Sequence, residues 1–189
     1  MVANIKALIL NGEMDKGIDL SAISQTLKDA LEDRNYDVEE KKLKEIEIKP
    51  CMGCYACWIK TPGKCIIDDY GRGLVSEMIN SQLIVYLTPV VYGGYSPELK
   101  KALDRIIPLL LPFFKKIKGE VHHPKRYDTY PDVLVLGITD KENYEEEVIF
   151  NELIGRNALN WYSTFKGRVI DIHNDSLETA VVEALEGRI

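Results

Sequence analysis

The chain alternates between short apolar runs and longer segments in which apolar residues recur every three or four positions. The run from Lys6 to Leu10 ends in a polar loop, as expected of a buried strand. The apolar positions that follow share one helical face, and Asp19 or Ser21 can cap the first turn. These positions are Leu20, Ile23, Leu27, Ala30 and Leu31. The pattern therefore predicts a strand, a loop and a helix, in that order.

The same alternation continues to the end of the chain. Further strands are predicted from Val38 to Ile48, Leu83 to Leu87, Val133 to Ile138 and Arg168 to Ile172. The first of these mixes apolar and charged residues, which favours an edge position, whereas the second is the most apolar and should be central. Between His122 and Pro131 the sequence is polar and without a period, so a connecting loop is expected there.

Helices are predicted between these strands and after the last one. Their positions are a helix opened by Asp68 and Asp69, one started by Ser96, Pro97 and Glu98, one around Val148 to Tyr162, and one carrying Leu177 to Leu185. In the second of them, Pro108 and Pro112 remove backbone donors and should bend or interrupt the far end. Strands therefore alternate with helices along the whole chain.

Such an alternation indicates an α/β fold whose parallel sheet is covered by helices on both faces. We predict one domain over residues 1–189, a three-layer, doubly wound, five-stranded sheet of order 2-1-3-4-5. In such sheets ligands bind beyond the carboxyl ends of the strands, at the point where the strand order reverses. The loops Asn11 to Asp19 and Thr88 to Ser96 should therefore face the same crevice.

Composition narrows the classes of protein. Among 189 residues, 46% are apolar and 29% are charged, as in ordinary globular domains. The formal net charge of −6 disfavours nucleic acid and anionic lipid as partners. The longest nearly apolar run, Ile106 to Phe114, is too short to span a bilayer, and the first residues do not resemble a signal peptide. We therefore expect a cytoplasmic protein without a membrane segment.

The clearest chemical signal is a group of four cysteines within residues 50–67. Cys51, Cys54, Cys57 and Cys65 are separated by gaps of two, two and seven residues. Gaps of two let neighbouring thiolates converge on one centre, and the compact spacing resembles cluster-binding loops. Spacing alone leaves several interpretations open: an iron–sulfur cluster, structural or free thiols, zinc, or a redox disulfide.

A second signal follows the predicted central strand. Its residues are Thr88, Pro89, Val90, Tyr92, Gly93 and Gly94. The two glycines would let a planar ring approach the backbone, a tyrosine could stack on that ring, and Thr88 offers a hydroxyl. The alternative is that proline and glycine only shape a turn here.

The cysteine run through Asp69 and the segment Thr88 to Arg105 together resemble the flavodoxin-like NAD(P)H-dependent FMN reductase family, in its cysteine-bearing branch that includes the iron–sulfur flavoproteins. The resemblance implies that the loop from Thr88 to Gly94 lies against the flavin ring of FMN. It also implies a [4Fe-4S] cluster on the four cysteines, NAD(P)H as electron donor, and a homodimer or homotetramer with flavin at the subunit contact.

The loop after the first strand departs from the family pattern. Family members usually hold the FMN phosphate there with a GSPR-like segment, but residues 11–19 contain no arginine, no hydroxyl and three carboxylates: Glu13, Asp15 and Asp19. The candidate phosphate-binding residues are Asn11, Gly12, Lys16 and Gly17, together with the start of the next helix. Each carboxylate is expected to oppose a dianion by on the order of a kcal/mol.

The sequence thus predicts a flavin-dependent oxidoreductase, with an iron–sulfur cluster as an addition at the cysteine loop and a small molecule or a protein as redox partner. One alternative is a metal-binding or thiol redox-sensing module without flavin. Another is a noncatalytic scaffold whose apolar segment mediates assembly. That segment, Leu109 to Phe114, is interpreted as an oligomer contact rather than core.

Overall fold

The computed structural model describes residues 5–117 and 119–186. Its strands are β1 (Ile5–Asn11), β2 (Tyr36–Lys42), β3 (Leu83–Pro89), β4 (Lys115–Ile117), β5 (Glu120–His122), β6 (Asp132–Thr139) and β7 (Phe165–Asp171). Its α-helices are α1 (Ser21–Glu32), α2 (Ala56–Ile59), α3 (Tyr70–Ile79), α4 (Pro97–Leu103), α5 (Tyr144–Ala158) and α6 (Leu177–Leu185). Short 3-10 turns lie at Leu43–Glu45 and Ile107–Leu109.

The main sheet has five parallel strands in the order β2-β1-β3-β6-β7. Numbered among themselves, these strands have the order 2-1-3-4-5, so the predicted flavodoxin-like fold is confirmed. The strand order reverses between β1 and β3, where Asn11 pairs with Leu87. The ends of these two strands therefore lie side by side at the carboxyl edge of the sheet.

Alternate residues of β3 separate the two halves of the core. Ile84 and Tyr86 belong to the cluster formed with α3, α4 and α5, whereas Val85 and Leu87 belong to the cluster formed with α1 and α6. Every residue of β3 is buried, as its apolar run from Leu83 to Leu87 predicts for a central strand covered on both faces. The three-layer arrangement is therefore confirmed.

The prediction for the second strand was wrong at its boundaries. β2 ends at Lys42, and a 3-10 turn begins at Leu43, whose side chain is buried. The apolar residues taken as anchors of that strand, Leu43, Ile46 and Ile48, instead bury or half-bury their side chains beyond it. β2 is nevertheless an edge strand, as predicted.

The chain after β3 is also more broken than the apolar pattern suggested. Ser96 caps α4 by accepting from the Leu99 amide at 3.2 Å, as predicted, but the helix already ends at Leu103. Pro108 lies within the following 3-10 turn. A small antiparallel hairpin of β4 and β5 then precedes the polar connection, so His122, the first residue of the predicted loop, is part of a strand.

In the described part of the chain, no helix combines the length and the apolar character needed to cross a bilayer.

Candidate functional site

Gly12 joins the two loops at the point where the strand order reverses. Its amide donates to the Leu87 carbonyl at 2.8 Å. A Cβ at position 12 would lie 2.6 Å from Ser96 Oγ and 2.9 Å from Leu99 Cβ, distances at which only glycine fits. The loop after β1 is therefore pressed against the start of α4, and the two predicted cofactor loops meet.

Two of the three carboxylates in the loop after β1 accept hydrogen bonds from amides at the start of α1. Glu13 Oε2 accepts from the Leu20 amide at 3.3 Å, and its Oε1 forms an ion pair with Lys44. Asp19 Oδ1 accepts from the Ser21 amide at 2.8 Å, and this hydrogen bond holds the pKa of Asp19 below its ordinary value. The chain's own carboxylates therefore occupy two of the amides at the start of α1, and the loop as folded does not suit an FMN phosphate.

Asn11 anchors the base of this loop. Its Oδ1 accepts from the Glu13 amide at 2.9 Å, and its Nδ2 donates to Glu40 Oε1 at 2.7 Å. Glu40 is bound by Ser24 and Lys28 as well. Burial would raise the pKa of Glu40, but these three hydrogen bonds outweigh it and lower that pKa. The Asn11 side chain is therefore committed to the protein's interior.

The remaining predicted phosphate residues lie at the tip of the loop. Lys16 and Gly17 are exposed, and Gly17 has a φ of +130°, a conformation that side-chain-bearing residues rarely adopt. The amides that donate to Glu13 and Asp19 belong to neither of these residues. Lys16 therefore supplies an exposed positive charge at the tip of the loop and does not form a preorganised phosphate-binding site.

At the end of β3, polar groups are used to fix the loop. The buried Thr88 hydroxyl accepts from the Ser96 amide and donates to the Pro89 carbonyl, both at 3.0 Å. The Val90 amide donates to the Ile138 carbonyl on β6 at 2.8 Å. Thr88 thus positions the start of α4, and Val90 is the first residue of this loop whose side chain is only half-buried.

A tight turn follows, in which Val91 and Gly94 exchange backbone hydrogen bonds of 3.0 and 2.9 Å. Its central residues, Tyr92 and Gly93, have φ angles of +49° and +72°, as in a type I′ turn. Tyr92 is 91% exposed, whereas a Cβ on Gly93 would lie 2.6 Å from Ile149 Cγ2 on α5. The turn therefore presents the Tyr92 ring to solvent, while Gly93 packs on α5 and the Gly94 amide is used within the turn.

The cysteine loop packs on the segment after α4. Trp58 Nε1 donates to the carbonyls of Leu110 at 2.9 Å and Ile107 at 3.2 Å. On the other side, Arg72 Nε donates to the Cys65 carbonyl at 2.9 Å. The loop is therefore fixed to both α3 and the 3-10 turn, although it contains little regular structure.

All four cysteines are free thiols in the structure. Cys54 is exposed, Cys57 is buried in α2, and Cys51 and Cys65 are half-buried. Burial raises the pKa of Cys57, and the nearby charges of the other three cysteines raise it further. Within residues 5–117 and 119–186, no three His, Cys, Asp or Glu side chains are arranged to hold a single metal ion. The four sulfurs thus share one neighbourhood without converging on one point.

Arg105 lies directly under this loop and is 1% exposed. Its guanidinium donates to both oxygens of Asp69, at 2.8 and 2.9 Å, and to the Lys49 carbonyl at 2.6 Å. Burial would lower its pKa, but the ion pair with Asp69 and the nearby Cys65 thiol raise it. The Nε–H of Arg105 is buried and has no hydrogen-bond partner among the described residues. A cation with an unused donor therefore lies beside the cysteines.

Two clefts border these features. One of about 730 Å³ is lined by Cys65, Arg72 and residues of the connection after β5. Another of about 240 Å³ lies at the carboxyl ends of β6 and β7 and includes Val90 and Glu146. The loop after β1 lines neither of these clefts.

Sequence reasoning missed the roles of Arg105, Glu40 and Glu13. Arg105 was noticed only as the end of the segment after β3; a single arginine before an apolar run was the available signal. Its partner Asp69 was predicted only to open α3, which it does as the N-cap. Neither role could be assigned without knowing which loops meet.

A five-stranded sheet of this order, with two loops meeting where the order reverses at the ends of β1 and β3, defines a doubly wound α/β protein. Residues 5–121 match the family described as NADPH-dependent FMN reductase. The chain belongs to this family of flavin-dependent reductases.

Curated relatives carry a more specific description. The chain is 36% identical over 85 residues to an iron–sulfur flavoprotein of Methanocaldococcus jannaschii, covering 44% of this chain and 42% of that protein. It is 29% identical over 101 residues to an iron–sulfur flavoprotein of Archaeoglobus fulgidus, covering 53% and 48%. The chain therefore matches less than half of the length of either relative.

Solved structures support the fold. An NAD(P)H:quinone oxidoreductase from Methanothermobacter marburgensis aligns with a TM-score of 0.66 at 11% identity, covering 96% of each chain. An FMN-dependent NADH-azoreductase from Bacillus anthracis, solved in complex with FMN, aligns with a TM-score of 0.59 at 14% identity, covering 95% of this chain and 93% of that one. At these identities the likeness concerns the fold alone.

Proposed function

We propose that this protein is a flavin-dependent oxidoreductase that carries a [4Fe-4S] cluster on Cys51, Cys54, Cys57 and Cys65. The observation that carries the flavin part is the junction at Gly12, whose amide bond to Leu87 brings the loop after β1 against the loop after β3 in a member of the FMN reductase family. In this fold that junction is where a ligand binds.

The chain's own residues would position the flavin ring. A bound flavin supplies two-electron and one-electron transfer. The exposed Tyr92 offers an aromatic face for stacking, and Pro89 and Val90 form the adjoining wall at the end of β3. NAD(P)H is the proposed donor, and a small molecule or a redox protein is the proposed acceptor.

The cysteine loop supports a polynuclear centre. In a cubane cluster each thiolate binds a different iron, so the sulfurs need a common neighbourhood but not a common point. A single zinc ion needs all of its sulfurs about 2.3 Å from one centre. The buried Arg105 guanidinium, with its unused Nε–H, fits an anionic sulfur centre as a neighbouring donor.

An anaerobic absorbance spectrum, with iron and acid-labile sulfide analysis, tests this function. We expect resolved flavin bands after incubation with flavin and a broad shoulder from the cluster. Cys54→Ser should lose iron and sulfide, whereas Met52→Ser, a matched change at an exposed neighbour that is not a ligand, should keep both. Iron at the wild-type stoichiometry in Cys54→Ser would rule out the cluster assignment.

A second function is favoured by one observation. Because Glu13 and Asp19 occupy two of the amides at the start of α1, the second candidate acts through its cysteines alone, as a metal-binding or thiol redox-sensing module. A protein that loads iron but shows no flavin bands with any flavin tested would support this second function and exclude the first.

A further inference from the structure

We propose that the Glu13 carboxylate takes the place of a ligand phosphate, so that the crevice accepts a flavin that lacks the 5′-phosphate in preference to FMN. This inference rests on the proposed flavin function and names the class of flavin that the site takes. It follows from the contacts of Glu13, the charge of its loop and the hydrogen-bonding character of a carboxylate.

Two of the amides that could hold a ligand phosphate are already occupied. A ligand phosphate in a doubly wound fold is held by backbone amides at the start of the first helix. Here the Leu20 amide donates to Glu13 Oε2 and the Ser21 amide donates to Asp19 Oδ1. Two carboxylates of the chain itself therefore already occupy these two donors.

Glu13 is held firmly by its contacts within the folded protein. Its side chain is 13% exposed and paired with Lys44, and its amide is bound by Asn11. Asn11 is fixed in turn by Glu40, whose side chain is 7% exposed. Displacing the Glu13 side chain would leave Lys44 without its partner and the Leu20 amide without its acceptor. The carboxylate is therefore part of the folded loop and not a side chain that a ligand can push aside.

The charges of the loop after β1 also oppose a phosphate. The loop carries Glu13, Asp15 and Asp19 against a single cation, Lys16, which is exposed. Two of the neighbouring cations are engaged, since Lys44 pairs with Glu13 and Lys28 with Glu40, whereas the exposed Lys42 acts on Asp19 from the end of β2. A phosphate dianion at the Leu20 and Ser21 amides would lie directly against the Glu13 and Asp19 carboxylates, and it would be repelled.

The Glu13 carboxylate can form a hydrogen bond with a hydroxyl but not with a phosphate dianion. An ionised carboxylate only accepts hydrogen bonds, as does a phosphate dianion, so the two cannot bond to each other. A flavin whose side chain ends in a hydroxyl has a donor at that position and can bond to Glu13. The same residue that excludes FMN therefore provides a partner for riboflavin.

Fluorescence-quenching titrations of the purified full-length protein with riboflavin and with FMN test this inference. We expect the wild type to bind riboflavin about tenfold more tightly than FMN or better, which is about 1.4 kcal/mol. Glu13→Ser frees the Leu20 amide and removes the charge, so it should tighten FMN binding by about tenfold while changing riboflavin binding far less. Glu13→Gln keeps an acceptor for that amide and should recover only part of the gain.

Asp15→Asn is the matched control, because it removes the same charge from an exposed position of the same loop. It should leave the preference for riboflavin in place, and thermal unfolding should show that each variant is folded. A wild type that binds FMN as tightly as riboflavin would overturn the inference and leave the flavin function standing. A folded wild type and folded variants that bind neither flavin would overturn the proposed function itself.

Discussion

Arg105 and Asp69 form a two-point ion pair that closes the base of the cysteine loop. Asp69 follows the last cysteine by four residues, and the same guanidinium also binds the carbonyl of Lys49, two residues before the first cysteine. Both side chains are almost fully buried, at 1% and 6% exposure. The pair therefore ties the beginning and the end of the loop to the turn that follows α4.

Removing one member of this pair should destabilise the protein strongly. Arg105→Met leaves the Asp69 carboxylate buried without its partner, and breaking a buried ion pair in this way costs about 3–5 kcal/mol. Chemical denaturation monitored by circular dichroism measures the change. The control is Arg156→Met, which removes an exposed arginine paired with Glu120 and should change the unfolding free energy little. Similar effects of the two substitutions would show that burial does not strengthen the Arg105 pair.

The same pair predicts a dependence on pH. Burial would raise the pKa of Asp69, but hydrogen bonds from Arg105 and from the Lys49 amide outweigh it and lower that pKa. A carboxyl whose pKa is lower in the folded state stabilises the fold above its unfolded pKa, about 3.9, and this stabilisation is lost as the pH falls toward the folded value. The difference in unfolding free energy between wild type and Asp69→Asn should thus shrink between about pH 5 and pH 3. A constant difference over that range would contradict the lowered pKa.

The junction of the two cofactor loops is tested by Gly12→Ala. The added methyl group would meet Ser96 Oγ at 2.6 Å and Leu99 Cβ at 2.9 Å, so we expect a loss of about 1–3 kcal/mol of unfolding free energy and weaker flavin binding. The control is Gly73→Ala in α3, where nothing lies within 4 Å of the new Cβ. That substitution should stabilise the helix by about 0.5–1 kcal/mol. An unaffected Gly12→Ala protein would mean that the loops do not pack as described.

The sheet could be predicted from the sequence because period and burial agree along its strands. β3 is apolar without interruption and lies at the centre, and the apolar positions of α1 fall on one face. β2 was placed too late because Leu43 and Ile48 continue its apolar character after the backbone has left the sheet. Burial alone does not distinguish a strand from a buried turn.

The candidate site was only partly predictable, for a different reason. Gly12 and the four cysteines could be singled out from the local sequence. Glu13, however, pairs with Lys44, 31 residues away, and Arg105 pairs with Asp69, 36 residues away. Such contacts depend on which loops the fold brings together. The three carboxylates of the first loop were recognised from the sequence as unfavourable for a phosphate, but the bonds of Glu13 and Asp19 to the Leu20 and Ser21 amides were visible only in the structure.

The exposed aromatic pair after α4 leads to a last prediction. Phe113 and Phe114 are 65% and 76% exposed, and Phe114 lies 5.4 Å from the His123 ring, beside the cysteine loop that Trp58 anchors. We propose that this pair forms the contact with a second copy of the chain, since large aromatic side chains dominate interfaces. Phe113→Ser and Phe114→Ser should each weaken the assembly by about 2 kcal/mol, or roughly thirtyfold in Kd, without lowering the thermal midpoint of the isolated subunit. Light scattering across a dilution series measures the effect, with Tyr144→Ser as a control at a similarly exposed aromatic on α5. A wild type that is monomeric at all concentrations, or variants that associate like the wild type, would show that this surface is not the contact.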